Sequence, residues 1–163
     1  MDTLVLKLAA PLQSWGDSSR FSERNTRHEP TKSGVIGLLA SALGRYRTDN
    51  IDDLSDILFG VRIDQPGHFE DDYQTAHTMK LENKTNQMVF KETMPLSHRF
   101  YLSDAVFVAC LQVEASISQQ YAEAFIHPAF PLFLGRRSCP PACKVLLGVY
   151  KECDLVKALD RVP

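Results

Sequence analysis

With 163 residues, 44% hydrophobic content and a formal net charge of −2, the chain is long enough to bury a substantial core, and its charge argues against a protein that coats nucleic acid indiscriminately. No run of eighteen apolar residues occurs, and "MDTLVLKLAAPLQSW" has an acid at position 2 and no signal-peptide pattern, so a cytoplasmic protein without a membrane partner is expected. Charge is segregated: residues 1–47 carry seven bases against four acids, 48–76 one against eight, and 77–163 ten against eight, a distribution that can set a basic face apart from an acidic one.

"TLVLKLAA" places Leu4, Leu6 and Leu8 on one face and predicts an opening strand. A polar loop rich in Ser, Arg and Asn follows Pro11. Pro30 disfavours helix just before it, Thr31 or Ser33 can cap, and Val35, Ile36, Leu38, Leu39, Ala42 and Leu43 then form the apolar face of a helix that Gly44 stops. Residues 50–60, "NIDDLSDILFG", predict a short helix with acids in its first turn, ending at Gly60. "VRIDQPG" and "HFEDDYQTAH" predict strands around a Pro-Gly turn. Residues 79–96 are polar with weak periodicity and suggest a mobile protrusion, with a hairpin as one form it could take.

"HRFYLSDAVFVACLQVEA" carries the clearest β signal, broken at a Ser-Asp turn, and "SISQQYAEAFIHPA" predicts a helix with Ile117, Tyr121, Ala124 and Phe125 on one side. A glycine-basic loop, "FLGRRSCPP", precedes a last strand over 144–150. This order suits an α+β, ferredoxin-like (RRM-like) antiparallel sheet with helices on one face. Cys110, Cys139, Cys143 and Cys153 lack the pattern of a zinc site and are expected to be reduced thiols.

Lys32-Ser33 at a helix start invites a nucleotide-loop reading, but the glycines that a phosphate-wrapping loop needs are missing ahead of Lys32. A single-phosphate site and plain capping both remain. Arg20, Arg24 and Arg27 interleave with Trp15 and Phe21, pairing guanidinium forks with flat rings as single-stranded RNA requires. A solvated loop with a core Trp has the same spacing. Arg136 and Arg137 follow Gly135, either for phosphate contact or for a structural ion pair. His28, His77 and His98 are candidate general acids or bases for metal-free RNA cleavage, each also readable as an ordinary polar residue. Asp71-Asp72 beside Tyr73 lacks a third carboxylate for a metal, and surface acidity accounts for it.

Together "LKLAAPLQSWG", "SRFSERNTRHEPTKSGVIGLLASALGR" and "FLGRRSCPP" resemble the CasD family, the type I-E form of the fifth CRISPR-associated protein family, within the repeat-associated mysterious protein superfamily. The resemblance covers essentially the whole chain. It implies one ferredoxin-like domain over 1–163, with a thumb insertion at about 79–96 and without the C-terminal extension usual in the family. It also implies a non-catalytic subunit of the Cascade antiviral surveillance complex. Such a subunit holds the 5′ handle of the CRISPR RNA, caps the CasC backbone filament, touches the large subunit CasA and meets target DNA only indirectly; no cofactor is implied. The expected RNA-binding residues are Trp15, Arg20, Phe21, Arg24, Arg27, Lys32, Ser33, Arg45, Arg47, Lys80, Lys84, Lys91, Gly135, Arg136 and Arg137. The alternative is a metal-independent endoribonuclease that processes precursor CRISPR RNA, as type I-C relatives do with a tyrosine, lysine and histidine; Tyr46, Lys91 and His98 are of those types, without a motif that joins them.

Overall fold

The computed structural model describes every residue except Asp17, Ser18, Phe21, Asn83 and Lys84, and the side chains of Ser19 and Arg20 also lie outside the description. The strands are β1 (Asp2–Ala9), β2 (Leu12–Gln13), β3 (Ser19–Arg20), β4 (Glu23–Arg24), β5 (Leu58–Gln65), β6 (His68–Gln74), β7 (His77–Glu82), β8 (Gln87–Thr93), β9 (Ser97–Ser103), β10 (Val106–Val113) and β11 (Leu146–Tyr150). The helices are α1 (Lys32–Ala42), α2 (Asp52–Ser55), α3 (Ala115–Ile126) and α4 (Leu155–Arg161).

β1 lies inside a mixed α+β architecture, in an antiparallel sheet of order β11-β1-β10-β5. Its alternation has a direct consequence. Leu4, Leu6 and Leu8 pair in register with Leu111, Ala109 and Phe107, and all six are fully buried in the core shared with α1 and α3. Burial of each leucine contributes about 2 kcal/mol. On the other face Val5, Val108 and Cys110 pack against Cys153, Ala158 and Val162 around α4.

α4 is absent from the sequence reading, which placed helices on one face only. Its signal is short but legible: Asp154 caps by accepting the Lys157 N–H at 2.9 Å, and Leu155, Ala158 and Leu159 follow at helical spacing. Arg62 ties its end down, with Nη1 donating to the carbonyls of Leu159 and Val162 and Nε pairing with Asp64 at 2.6 Å. The sheet therefore carries helices on both faces.

Residues 50–60 also depart from expectation. Helix spans only Asp52–Ser55, and Leu58, Phe59 and Gly60 instead pair with Gln112, Leu111 and Cys110 at the sheet edge. Tertiary pairing outweighs a weak local preference there. Strands flank Pro66-Gly67 as expected, and the turn is a corner between sheets: β5 pairs with β10, whereas β6 pairs with β9 in a second sheet that also holds β2, β4 and β3. Ser103-Asp104, with Asp104 at φ 55°, makes the same passage between sheets in reverse. Gln13, fully buried, donates to the carbonyls of Leu8 and Ala105 where the sheets meet. β7 and β8 pair with each other alone, so the protrusion suggested over 79–96 takes the form of a hairpin that begins at His77.

Cys110, Cys139 and Cys153 are buried, Cys143 is exposed, and all four are free; burial pushes the Cys110 thiol up to about 11. Among the described residues no helix is long and apolar enough to cross a membrane.

Asp2 joins β1 to both flanks by accepting from the Glu152 N–H at 3.0 Å and the Ser118 hydroxyl at 2.7 Å. These bonds, the Glu152 N–H first, hold its carboxyl below the ordinary 3.8. Its contribution is therefore complete above the unfolded value and is lost as pH falls through the lower folded value. In urea titrations the stability gap between wild type and Asp2→Asn is expected to narrow as pH drops below about 3.8. A gap that stays constant down to pH about 2 contradicts this linkage.

Candidate nucleic-acid interface

The segment after β2 is built around Trp15. Its N–H donates to Thr26 Oγ1 at 2.8 Å, its carbonyl accepts from Arg27 N–H at 2.9 Å, and its indole Nε1 donates to Gln13 Oε1 at 3.1 Å. The side chain is 1% exposed. Trp15 is thus a core residue and not a platform on which a base can stack, a correction to the expected base contact. Its role is to seat α1: a Cβ on Gly34 would lie 2.9 Å from the indole Cε3, so glycine lets the helix start settle on the ring. Thr31 caps that start by accepting the Gly34 N–H at 3.1 Å. Trp15→Ala is expected to cost about 3–5 kcal/mol. The single tryptophan of the native chain should also resist iodide quenching until the protein unfolds; ready quenching of the folded protein contradicts the burial.

The third segment crosses the first at Gly135. Its φ is 94°, and a Cβ there would fall 1.7 Å from the Ser14 carbonyl oxygen. Ser14 N–H donates to Leu134 O at 3.1 Å, locking the crossing. Arg136 is half-buried and acts as a clamp: Nη2 donates to Arg24 O at 2.7 Å, Nη1 to Phe100 O at 3.2 Å, and the guanidinium sits 4.7 Å from the Tyr101 ring centroid. Arg137, the next residue, is exposed and pairs with no described residue.

These segments enclose a cleft of about 550 Å³ bordered by Ser14, Trp15, Gly16, Arg24, Asn25, Thr31, Ser33, Gly34, Arg47, Gly135 and Arg136. Arg24 and Arg47 are exposed there and their side chains pair with no described residue. Other predicted residues are placed differently. Arg27 and Lys32 border a neighbouring cleft of about 610 Å³ with Glu29, and Lys32 Nζ donates to the Ser55 carbonyl at 2.6 Å, bracing α1 on α2. Arg45 forms a two-pronged pair with Asp53, which holds that carboxyl below its usual range. Both cations are tied up within the chain.

Lys80 and Lys91 stand on the β7–β8 hairpin, Lys91 3.5 Å from Glu92. Phe21 and Lys84 lie outside the described residues, as does the side chain of Arg20. Sequence reasoning missed the place of Ser14 in the cleft, which only its contact with Gly135 reveals.

Each of the three histidines meets an aromatic neighbour, and the partners of His28 and His98 both lie on β6. His98 Nδ1 lies 2.9 Å from Asp71 and its ring meets Tyr73, His28 meets Phe69, and His77 meets Phe90. Tyr46 meets Phe130, Lys91 meets Glu92 and His98 meets Asp71, so the three share no partner among these contacts.

Residues 3–163 match the model of the Cas_Cas5d family, described as CRISPR-associated protein (Cas_Cas5). The CRISPR system Cascade subunit CasD of Escherichia coli (strain K12) is 32% identical over 169 residues, spanning 96% of this chain and 75% of that protein. Of solved structures, a chain of a CRISPR RNA-guided surveillance complex superposes with a TM-score of 0.75 at 34% identity, over 88% of this chain and 61% of that one. A Cas protein crystal structure superposes with a TM-score of 0.72 at 38% identity, over 97% and 69%. The chain thus spans between 61% and 75% of the length of these relatives.

Proposed function

Because this chain belongs to the CRISPR-associated Cas5 family, with CasD of Cascade among its relatives, we propose that it is a non-catalytic, RNA-binding subunit of a cytoplasmic type I-E Cascade complex. It holds the 5′ handle of the CRISPR RNA and caps the CasC filament beside CasA. The observation that carries this reading is the convergence of three segments, separated by up to about 120 positions, on one cleft rimmed by Arg24 and Arg47. Exposed guanidinium groups bind phosphates, and a glycine loop admits close approach of a backbone.

The proposal includes a ferredoxin-like core in one domain. The sheet order β11-β1-β10-β5 supports it, since in the run β1-α1-β5-β10-α3-β11 these are the fourth, first, third and second strands. The β7–β8 hairpin is the thumb, which kinks the RNA where handle meets guide.

One contact favours the rival endoribonuclease: Asp71 could orient His98 as a general base. Incubation of the purified protein with labelled repeat RNA in EDTA separates the two. Intact RNA is expected, and a discrete product abolished by His98→Ala overturns the non-catalytic role.

A further inference from the structure

The cleft at Gly135 does not end there. Through Ser33, Gly34, Arg47 and Gly135 it joins a trough of about 470 Å³ over Gly37 and Ser41, and through Ser41, Arg47 and Phe133 that trough joins a third cavity. Arg47 borders all three. The third cavity, about 590 Å³, has Tyr46 and Phe130 in its walls with Arg47 and Arg137 beside them, a size within the range of about 300–1,000 Å³ usual for small-ligand sites.

Its walls are held in place. Gly44, at φ 79°, comes so close to Ala129 that a Cβ would lie 2.9 Å from it, and Ala129 N–H donates to Ala42 O at 3.0 Å. Tyr46 N–H donates to Asp49 at 2.7 Å, which fixes the backbone beneath its ring. The Tyr46 and Phe130 rings meet edge to face at 5.5 Å, yet Tyr46 remains 68% exposed. Asp53 neutralises Arg45, so the cations left over are Arg47 and Arg137. Exposed aromatic surface beside two guanidinium groups that pair with no described residue suits a ligand that is both planar and anionic.

We infer that this cavity is a single-nucleotide subsite: a base of the bound RNA stacks on Tyr46 and Phe130 while Arg47 and Arg137 hold its phosphates. The strand then runs from the Gly135 crossing along α1 to the end of that helix. The inference rests on the RNA-binding reading above and adds the path and a base-stacking position. Base–aromatic stacking makes Tyr46→Ala worth roughly a 5- to 150-fold loss of affinity, whereas Tyr46→Phe keeps the ring and the affinity.

The test uses the full chain assembled with its Cascade partners and a CRISPR RNA carrying one photoreactive nucleotide at each handle position in turn, with cross-linked peptides mapped by mass spectrometry. One position is expected to cross-link to the peptide of Tyr46 or Phe130, to lose that link in Tyr46→Ala and to retain it in Tyr46→Phe. Cross-links confined to the Arg24 and Gly135 peptides overturn the subsite and leave the RNA-binding reading standing. A partner protein cross-linked at Tyr46 in place of RNA also overturns the subsite. RNA cross-links absent from the whole chain overturn both.

Discussion

Gly135→Ala is expected to lower the melting temperature by roughly 4–12 °C, from a loss of about 2–3 kcal/mol in a domain of this size. Two effects add. A side chain at φ 94° is strained by about 1–2 kcal/mol, and its Cβ would fall 1.7 Å from the Ser14 carbonyl oxygen. Relief of that overlap must part the two segments and break the Ser14–Leu134 bond, costing about 1 kcal/mol more. Gly37→Ala is the internal control. Nothing lies within 4 Å of a Cβ there, and the helix should gain about 0.5–1 kcal/mol. Thermal unfolding of both variants by circular dichroism checks the contrast; equal shifts contradict it.

The second expected result separates two neighbours. Arg136→Ala removes two hydrogen bonds to carbonyls and a ring contact, with an expected loss of about 2 kcal/mol of stability. Arg137→Ala should leave stability within about 0.5 kcal/mol of wild type. Its effect falls on RNA: binding weakens, and the slope of log affinity against log salt drops by about 0.7, the value for one phosphate contact on a single strand. Paired thermal melts and RNA titrations over a salt series distinguish them. An Arg137 variant that unfolds readily, or binds RNA as wild type does at every salt concentration, contradicts the division of roles.

That division was not legible in the sequence, where Arg136 and Arg137 are adjacent and chemically identical. What can be read is what periodicity and capping encode: the alternation of β1, the capped start of α1 and the amphipathic α3. The resemblance to a known family also singles out the three segments that meet at the cleft. The rest depended on contacts between distant positions. Trp15 is indistinguishable in sequence from an exposed stacking ring, because its burial comes from Gly34 and Gln13 packing around it. Arg45 and Arg47 look alike until Asp53 engages one of them. The strand at Leu58 exists because an edge of β10 needs a partner, a fact recorded nowhere in residues 50–60.

The central claim is that this chain grips the repeat-derived end of a CRISPR RNA. It is tested most directly by irradiating the assembled complex with ultraviolet light, isolating this chain under denaturing conditions and sequencing the RNA attached to it. Reads that concentrate in the 5′ handle are the predicted result. Reads spread through the guide or drawn from unrelated cellular RNA, or no attached RNA at all, contradict it.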